Sequence, residues 1–249
     1  MKLITQLRKY HVRQLFLPNA FSILINPFYL CRAGMAKKIA EYAKTLNGEK
    51  MLDFGCGHKP YRSLFPQISQ YIGVDFENEG HAHNKEQVDV FYDGVSLPFP
   101  DQYFDCAICT EVLEHVPDID QSLTLLKRVL KSNAGVIISL PFVWTEHEMP
   151  FDFRRFTMGG LVKKLEKQGF EMVQTYKNGN FVSVIIEMFI MLIHKLLYTK
   201  IVFLNYFINL IFIFPLTLLG IILSVIFKNQ KELYFNTIIL AVKKGETEK

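Results

Sequence analysis

The feature that most constrains this chain is a series of short apolar runs, each closed by turn residues and separated by stretches of helical periodicity. Residues 51–54, 71–74, 88–92, 104–109 and 136–140 are too short for helices and are bounded by Gly, Pro, Asn or Asp. The first, second, fourth and fifth have the composition of parallel strands buried on both faces. A helix is expected over 31–46, where Lys37, Lys38, Glu41 and Lys44 share one face and Asn47-Gly48 stops it. A second is expected over 119–130, ending in Lys127, Arg128 and Lys131 before Asn133-Ala134-Gly135 turns the chain, and a third over 157–168, closed by Gly169. Strands at 170–176 and 233–243 follow. Such alternation argues for a doubly wound α/β sheet.

With 249 residues there is room for one domain of typical size and an appendage. Half of the residues are hydrophobic, more than a soluble domain of this length needs, and the surplus sits in 181–227. There the titratable groups are Glu187, His194, Lys195 and Lys200, with Tyr198 and Tyr206 beside them, and 201–227 carries no charge. That second part is long enough to cross a bilayer. A single crossing would strand the last β-run on the far side, so the expectation is a hairpin turning near 198–200, or helices lying in the interface. Cover for a dimer contact or for the sheet is the soluble alternative. Residues 1–30 mix Lys2, Arg8, Lys9 and Arg13 with apolar residues interrupted by Pro18 and Pro27, and read as an arm and not a signal peptide.

The net charge of +4 is spread along the chain, which argues against nucleic acid as a partner. Cys106 and Cys109 make a Cys-x-x-Cys spacing, but on a buried strand residues three apart point to opposite faces, so both read as inert thiols in a reducing cytosol. His81 and His83 with Asp75 or Glu79 have metal-like spacing but no thiolate, and no metal is expected.

The chemistry begins at Asp53-Phe54-Gly55-Cys56-Gly57, an acid and a Gly-x-Gly turn at a strand's carboxyl end, where the backbone can approach a ligand closely. His58-Lys59-Pro60 follows where a dinucleotide fingerprint would have its third glycine, which counts against a seated pyrophosphate. Asp75 ends the second strand, where a carboxylate can accept from both ribose hydroxyls, and Asp93-Gly94 follows the third, where an acid can meet an adenine amino group. Three acids atop successive strands converge on one nucleoside.

In order, residues 52–57, 73–75, 97–105, 111–116 and 126–131 resemble the motifs of class I S-adenosylmethionine (SAM)-dependent methyltransferases, closest to the branch related to ubiquinone and menaquinone biosynthesis. The resemblance runs from about Cys31 to Phe170 and resumes at the last strand. It implies a Rossmann-like sheet of seven strands, mostly parallel with an antiparallel last strand, interrupted by a hydrophobic helical insert. The domain would comprise 31–180 and 231–245, with the arm at 1–30 and the insert at 181–230. By resemblance Asp53, Gly55, Cys56 and Gly57 meet the amino-acid end of SAM, Asp75 and Phe76 the ribose, Asp93 and Gly94 the adenine, and Thr110 and Glu111 border the sulfonium. Residues 26–29 and 151–157 look like a bacterial subgroup whose members often accompany surface-glycan genes.

Methyl transfer from a sulfonium is an in-line displacement that works by alignment. For a hydroxyl acceptor a general base helps. His147, with Glu146 and Asp152 near it, lies just past the fifth strand and is the favoured base; the alternative is a surface loop histidine. Asp152, Arg154 and Arg155 are candidates for acceptor binding, or for ordering their own loop, and His115 reads as structural. The expected function is methyl transfer, at oxygen, to a small-molecule, glycan or lipid-linked acceptor at the cytoplasmic membrane surface. Its rivals are a silent SAM-binding membrane module and a nicotinamide-dependent oxidoreductase, against which the missing glycine speaks.

Overall fold

The computed structural model describes residues 10–76 and 87–245. Two compact units divide the chain, one made of 1–38 and 177–235, the other of 39–176 and 236–249. The arm and the apolar insert, read from the sequence as separate parts, therefore fall in one unit.

Seven strands form a single sheet: β1 (Lys50–Phe54), β2 (Gln70–Phe76), β3 (Val90–Tyr92), β4 (Phe104–Thr110), β5 (Leu130–Pro141), β6 (Phe170–Lys177) and β7 (Asn236–Lys243). Their order is β3-β2-β1-β4-β5-β7-β6. The pairs β1·β2, β1·β4, β2·β3 and β4·β5 are parallel, and β7 runs antiparallel to β5, as the resemblance implied. Met51, Leu52, Ala107, Ile108, Ile137 and Ile138 are buried because the middle of the sheet is covered on both faces, which is why these strands read as unbroken apolar runs.

Helix α1 (Tyr29–Ala43) leads into β1; α2 (Ile119–Val129) joins β4 to β5, and α3 (Met158–Lys167) precedes β6. Asp118 caps α2 by accepting from Gln121 N–H at 3.0 Å, Thr157 caps α3 through Gly160 N–H, and Lys127 and Arg128 close α2 where the helix dipole favours cations. One expectation fails: Asn133-Ala134-Gly135 does not separate α2 from the strand. β5 begins at Leu130, and its register against β4 shifts between Phe104 and Cys106, so the turn sequence is absorbed as a bulge with Asn133 at φ 62°.

In the other unit, α4 (Phe181–Leu197) is capped by Asn180 and Ser183, which bond each other reciprocally. After 198–201 the chain returns through α5 (Val202–Ile208), a π turn at Asn209–Ile213 and α6 (Phe214–Ile226). The bend falls at the position the sequence indicated.

Helix α2 buries Ile119, Leu123, Leu126 and Val129 in the core that carries the sheet. Leu126→Ala should lower the unfolding free energy by about 2–5 kcal/mol in chemical denaturation, while Leu125→Ala, at a half-buried position of the same turn, should cost clearly less. Equal losses would mean that α2 does not pack by this face.

Candidate active site

Strand order reverses between β1 and β4, and in open α/β sheets ligands settle beyond the strand carboxyl ends at such a point. A cavity of about 370 Å³ lies there. Its floor is the turn after β1. Gly55 has φ +73°, and a Cβ there would stand 2.3 Å from Val112 Cγ2, so no larger residue fits. Gly57, at φ +46°, would meet nothing within 4 Å, leaving its backbone open to an occupant. The Gly55 and Cys56 N–H groups both donate to Val74 O, at 2.8 and 3.0 Å, and Gly57 N–H donates to Asp75 Oδ2 at 2.7 Å. The turn is thereby stitched to the end of β2.

Phe76, Tyr92, Asp93 and Gly94 contribute to one part of the wall, with the two rings edge to face at 6.1 Å. Asp93 Oδ1 accepts from Ser96 and Val95 N–H at 2.7 and 2.8 Å, and these bonds hold its carboxyl below the usual value. Elsewhere on the wall, Glu111 is kept at φ 54° while its Oε1 accepts from Ser139 Oγ at 2.7 Å. His115 places Nδ1 2.8 Å from Phe151 O, so the neutral ring donates there and keeps Nε2 as an acceptor. That Nε2 is 3.7 Å from Glu114 Oε1 and 3.9 Å from Glu148 Oε2. Glu114 itself is fully buried, neither of its oxygens has a hydrogen-bond partner among the described residues, and desolvation, then Glu111, pushes its pKa well up. Glu114, His115 and His147 bring one ligand atom each within 4.8 Å of one another, a donor set chemically suited to a divalent cation where none was expected.

The electrostatics are one-sided. Asp75, Asp93, Glu111, Asp118 and Glu148 all line the cavity, and none of the described lining residues is Lys or Arg. Such a site favours a cationic occupant and disfavours a pyrophosphate.

Residues 52–138 match the family model described as a methyltransferase domain. A ubiquinone biosynthesis O-methyltransferase of Pasteurella multocida is 30% identical over 120 residues, which are 41% of this chain and 50% of that protein. A 2-phytyl-1,4-naphtoquinone methyltransferase of Synechocystis is 29% identical over 136 residues, 49% of this chain and 56% of the relative. Residues 52–138 thus resemble the cofactor domain of class I SAM-dependent methyltransferases. The chain spans about half the length of the curated relatives it matches. Among solved structures, a SAM-dependent methyltransferase from Mesorhizobium loti matches with a TM-score of 0.52 and 12% identity, over 84% of this chain and 98% of the other. The cyclase SpnF matches with a TM-score of 0.56 and 19% identity, over 86% and 82%. These likenesses concern the fold alone.

Of the methyltransferase positions expected to meet the cofactor, Gly55, Gly57, Asp75, Phe76, Asp93, Gly94 and Glu111 line the cavity. Asp53, Cys56 and Thr110 are not among the lining residues. Asp53 lies within β1, 5% exposed, and accepts from Tyr71 Oη at 2.6 Å; burial pushes its pKa up to about 7. Cys56 is buried, and desolvation drives its thiol pKa up as well, so it is no nucleophile.

On the acceptor side, His147, Asp152, Arg154 and Arg155 are not among the residues lining the cavity. His147 stands behind the wall, its ring against that of His115 at 4.7 Å between centroids, and it is His115 that lines the cavity. Burial, then His115, lowers the His147 pKa. Asp152 accepts from His147 N–H at 3.0 Å and is gripped by both terminal nitrogens of Arg155, a pairing that holds its carboxyl at about 2. Arg154 gives its guanidinium to the carbonyls of Leu113, Val116 and Pro117. The Arg154 donors brace the 113–117 loop. Glu146 is exposed and outside the wall. Glu79, His81 and His83 lie outside the described residues. The sequence reading missed His115, Glu114 and Glu148 as a cluster, although the Glu-x-x-Glu-His spacing of 111–115 was its visible trace.

A carboxyl whose folded pKa exceeds its unfolded value near 3.9 stabilises the fold fully below that value and loses the contribution as pH rises through about 7. Asp53→Asn should therefore gain stability relative to the parent as pH climbs from about 4 to about 7. Unfolding free energies across that window check this, and a difference independent of pH would show that Asp53 does not titrate there.

Proposed function

We propose that this chain transfers the methyl group of SAM to an oxygen of a small-molecule, glycan or lipid-linked acceptor, working as a cytoplasmic enzyme held at the membrane by its apolar segment. The observation that carries the reading is the cavity at the β1/β4 switch point, ringed by carboxylates and flanked by Phe76 and Tyr92. SAM is a nucleoside whose reactive end bears a sulfonium and an ammonium, and it has no phosphate to seat. In this reading Gly55 and Gly57 let the backbone approach the amino-acid end, Asp75 accepts from the ribose hydroxyls, and Asp93 and Gly94 lie at the adenine. Glu111 faces the cationic end. Asp53 acts from beneath, as a buried member of the strand that carries the turn.

For an oxygen acceptor, a C–O bond forms as the S–CH3 bond breaks, the sulfur keeps the electron pair, and the hydroxyl proton must leave. In this reading His115 serves as the base, because it lines the cavity and its Nδ1 is engaged by Phe151 O, which leaves Nε2 to accept. His147 supports that ring from behind. With its pKa lowered, His147 stays neutral at pH 7 and adds no positive charge next to the base.

Calorimetric titration should show micromolar binding of SAM and of its demethylated product. Asp75→Ala should weaken both roughly 10- to 100-fold, the loss of a hydrogen-bonded charged partner. Binding of NADH alone would overturn the reading. With an acceptor in hand, His115→Ala should lower turnover about 100-fold or more and leave SAM affinity nearly unchanged; His147→Ala should do so less. The reverse order would return the base role to His147.

A further inference from the structure

Residues 181–226 have their polarity turned inside out. The buried positions of α4 are Ser183, Val184, Glu187 and Ile190, and those of the return helix are Ile208, Asn209, Ile213, Thr217 and Gly220, so polar and small groups share the interior with a few isoleucines. The exposed positions carry Phe181, Ile185, Phe189, Leu192 and Leu196 on α4, spaced three or four apart, and Phe203, Phe207, Leu210, Leu218, Ile222 and Val225 on the way back. A helix pair in water shows the opposite pattern. Polar groups inward and large apolar groups outward suit a surround of hydrocarbon.

The turn is built to pass through that surround. Thr199 N–H donates to Asn205 Oδ1 at 2.9 Å, and Asn205 Nδ2 donates back to Thr199 O at 2.8 Å. Ile201 N–H donates to Thr199 Oγ1 at 3.1 Å, Tyr198 N–H to His194 O at 3.0 Å, and Tyr198 Oη to Asn209 Oδ1 at 2.6 Å. A turn in water can leave such groups to solvent, whereas one entering a membrane must satisfy them itself. Around it Leu196, Ile201, Val202 and Phe203 are exposed by 72, 62, 65 and 71%.

Length and charge set the placement. The return helix Val202–Ile226 has 25 residues, about 37 Å, of which 28% of the most apolar window is buried; α4 has 17 residues, about 25 Å. The hydrocarbon core of a bilayer is about 30 Å thick. Lysines border the apolar band at both ends, Lys195 and Lys200 at the turn and Lys177, Lys228 and Lys231 at the base. Helices lying in the interface would carry their cations along one polar face; here none falls between Lys200 and Lys228. The chain on either side runs into β6 and β7, strands of one sheet, so it must enter and leave a membrane on the same side.

We propose that 181–226 is a transmembrane hairpin that crosses the bilayer twice and exposes the Thr199–Lys200 turn on the face opposite the methyltransferase domain. It deepens the membrane attachment put forward above and rests on that part of the reading, but not on the identity of the cofactor. These five lysines mark the two interfaces, where long cationic side chains reach the head groups.

The test uses the full chain in sealed bacterial membrane vesicles of both orientations with a membrane-impermeant maleimide. The native Cys31, Cys56, Cys106 and Cys109 are buried and give little background. Lys200→Cys should label only from the face opposite the methyltransferase domain, and Lys228→Cys only from the domain's own face. Labelling of both from one face would mean helices in the interface. Release of the protein by alkaline carbonate, as a dimer in solution, would mean that a second copy covers the apolar surface. Either result overturns the hairpin. SAM titration of the detergent-purified variants reports the domain separately: absent binding with the expected labelling would sink the cofactor reading and leave the hairpin standing.

Discussion

The site depends on β1 lying between β2 and β4. Because that pairing is parallel and buried, the chain leaves β1 at the edge where strand order reverses, and Val74 O takes the N–H groups of both Gly55 and Cys56 as it turns. The same stitch brings Gly57 N–H to Asp75. A carboxylate 18 residues away in sequence is thus held at the floor of the cavity by the backbone it flanks. Without Gly55 the turn would collide with Val112, and the floor and the opposite wall could not coexist.

The residues that make the family recognisable are largely braces. Arg128 ties α2 to the 97–101 loop by donating to the carbonyls of Leu97 and Phe99 and to Asp101. Phe99, Tyr103 and Phe104 pack together, with rings 4.9 to 5.7 Å apart, beneath the entry to β4. Arg154 does the same for the loop after Leu113. Motifs spaced along the chain mark where the fold needs fixed loops, and the chemistry is left to the few side chains those loops present. The fold by itself does not dictate the reaction.

The acidic cavity and the apolar helices of 181–226 differ sharply in surface chemistry. Beside the cavity, burial and then the neighbouring Glu111 raise the pKa of Glu114, and the carboxylates that line the cavity favour a cationic occupant. In the 181–226 segment, Tyr198 pairs with Asn209 and Asn205 with Thr199, while large apolar side chains such as Phe189, Phe203 and Ile222 are exposed.

Strand runs, helix periods, the Gly-x-Gly turn, and the acids at 75 and 93 were legible in the sequence, because local spacing encodes period and turn chemistry directly. So was the apolar segment and its bend near 198–200. The bulge at Asn133 was not, since a turn residue and a bulge residue look alike until a partner strand sets the register. Nor was the contact between the His115 and His147 rings, or the choice of the 113–117 carbonyls as the partners of Arg154. Those depend on which groups meet across more than 30 residues of chain, as His115 meets Phe151 and Arg154 meets Leu113, and only tertiary packing decides that.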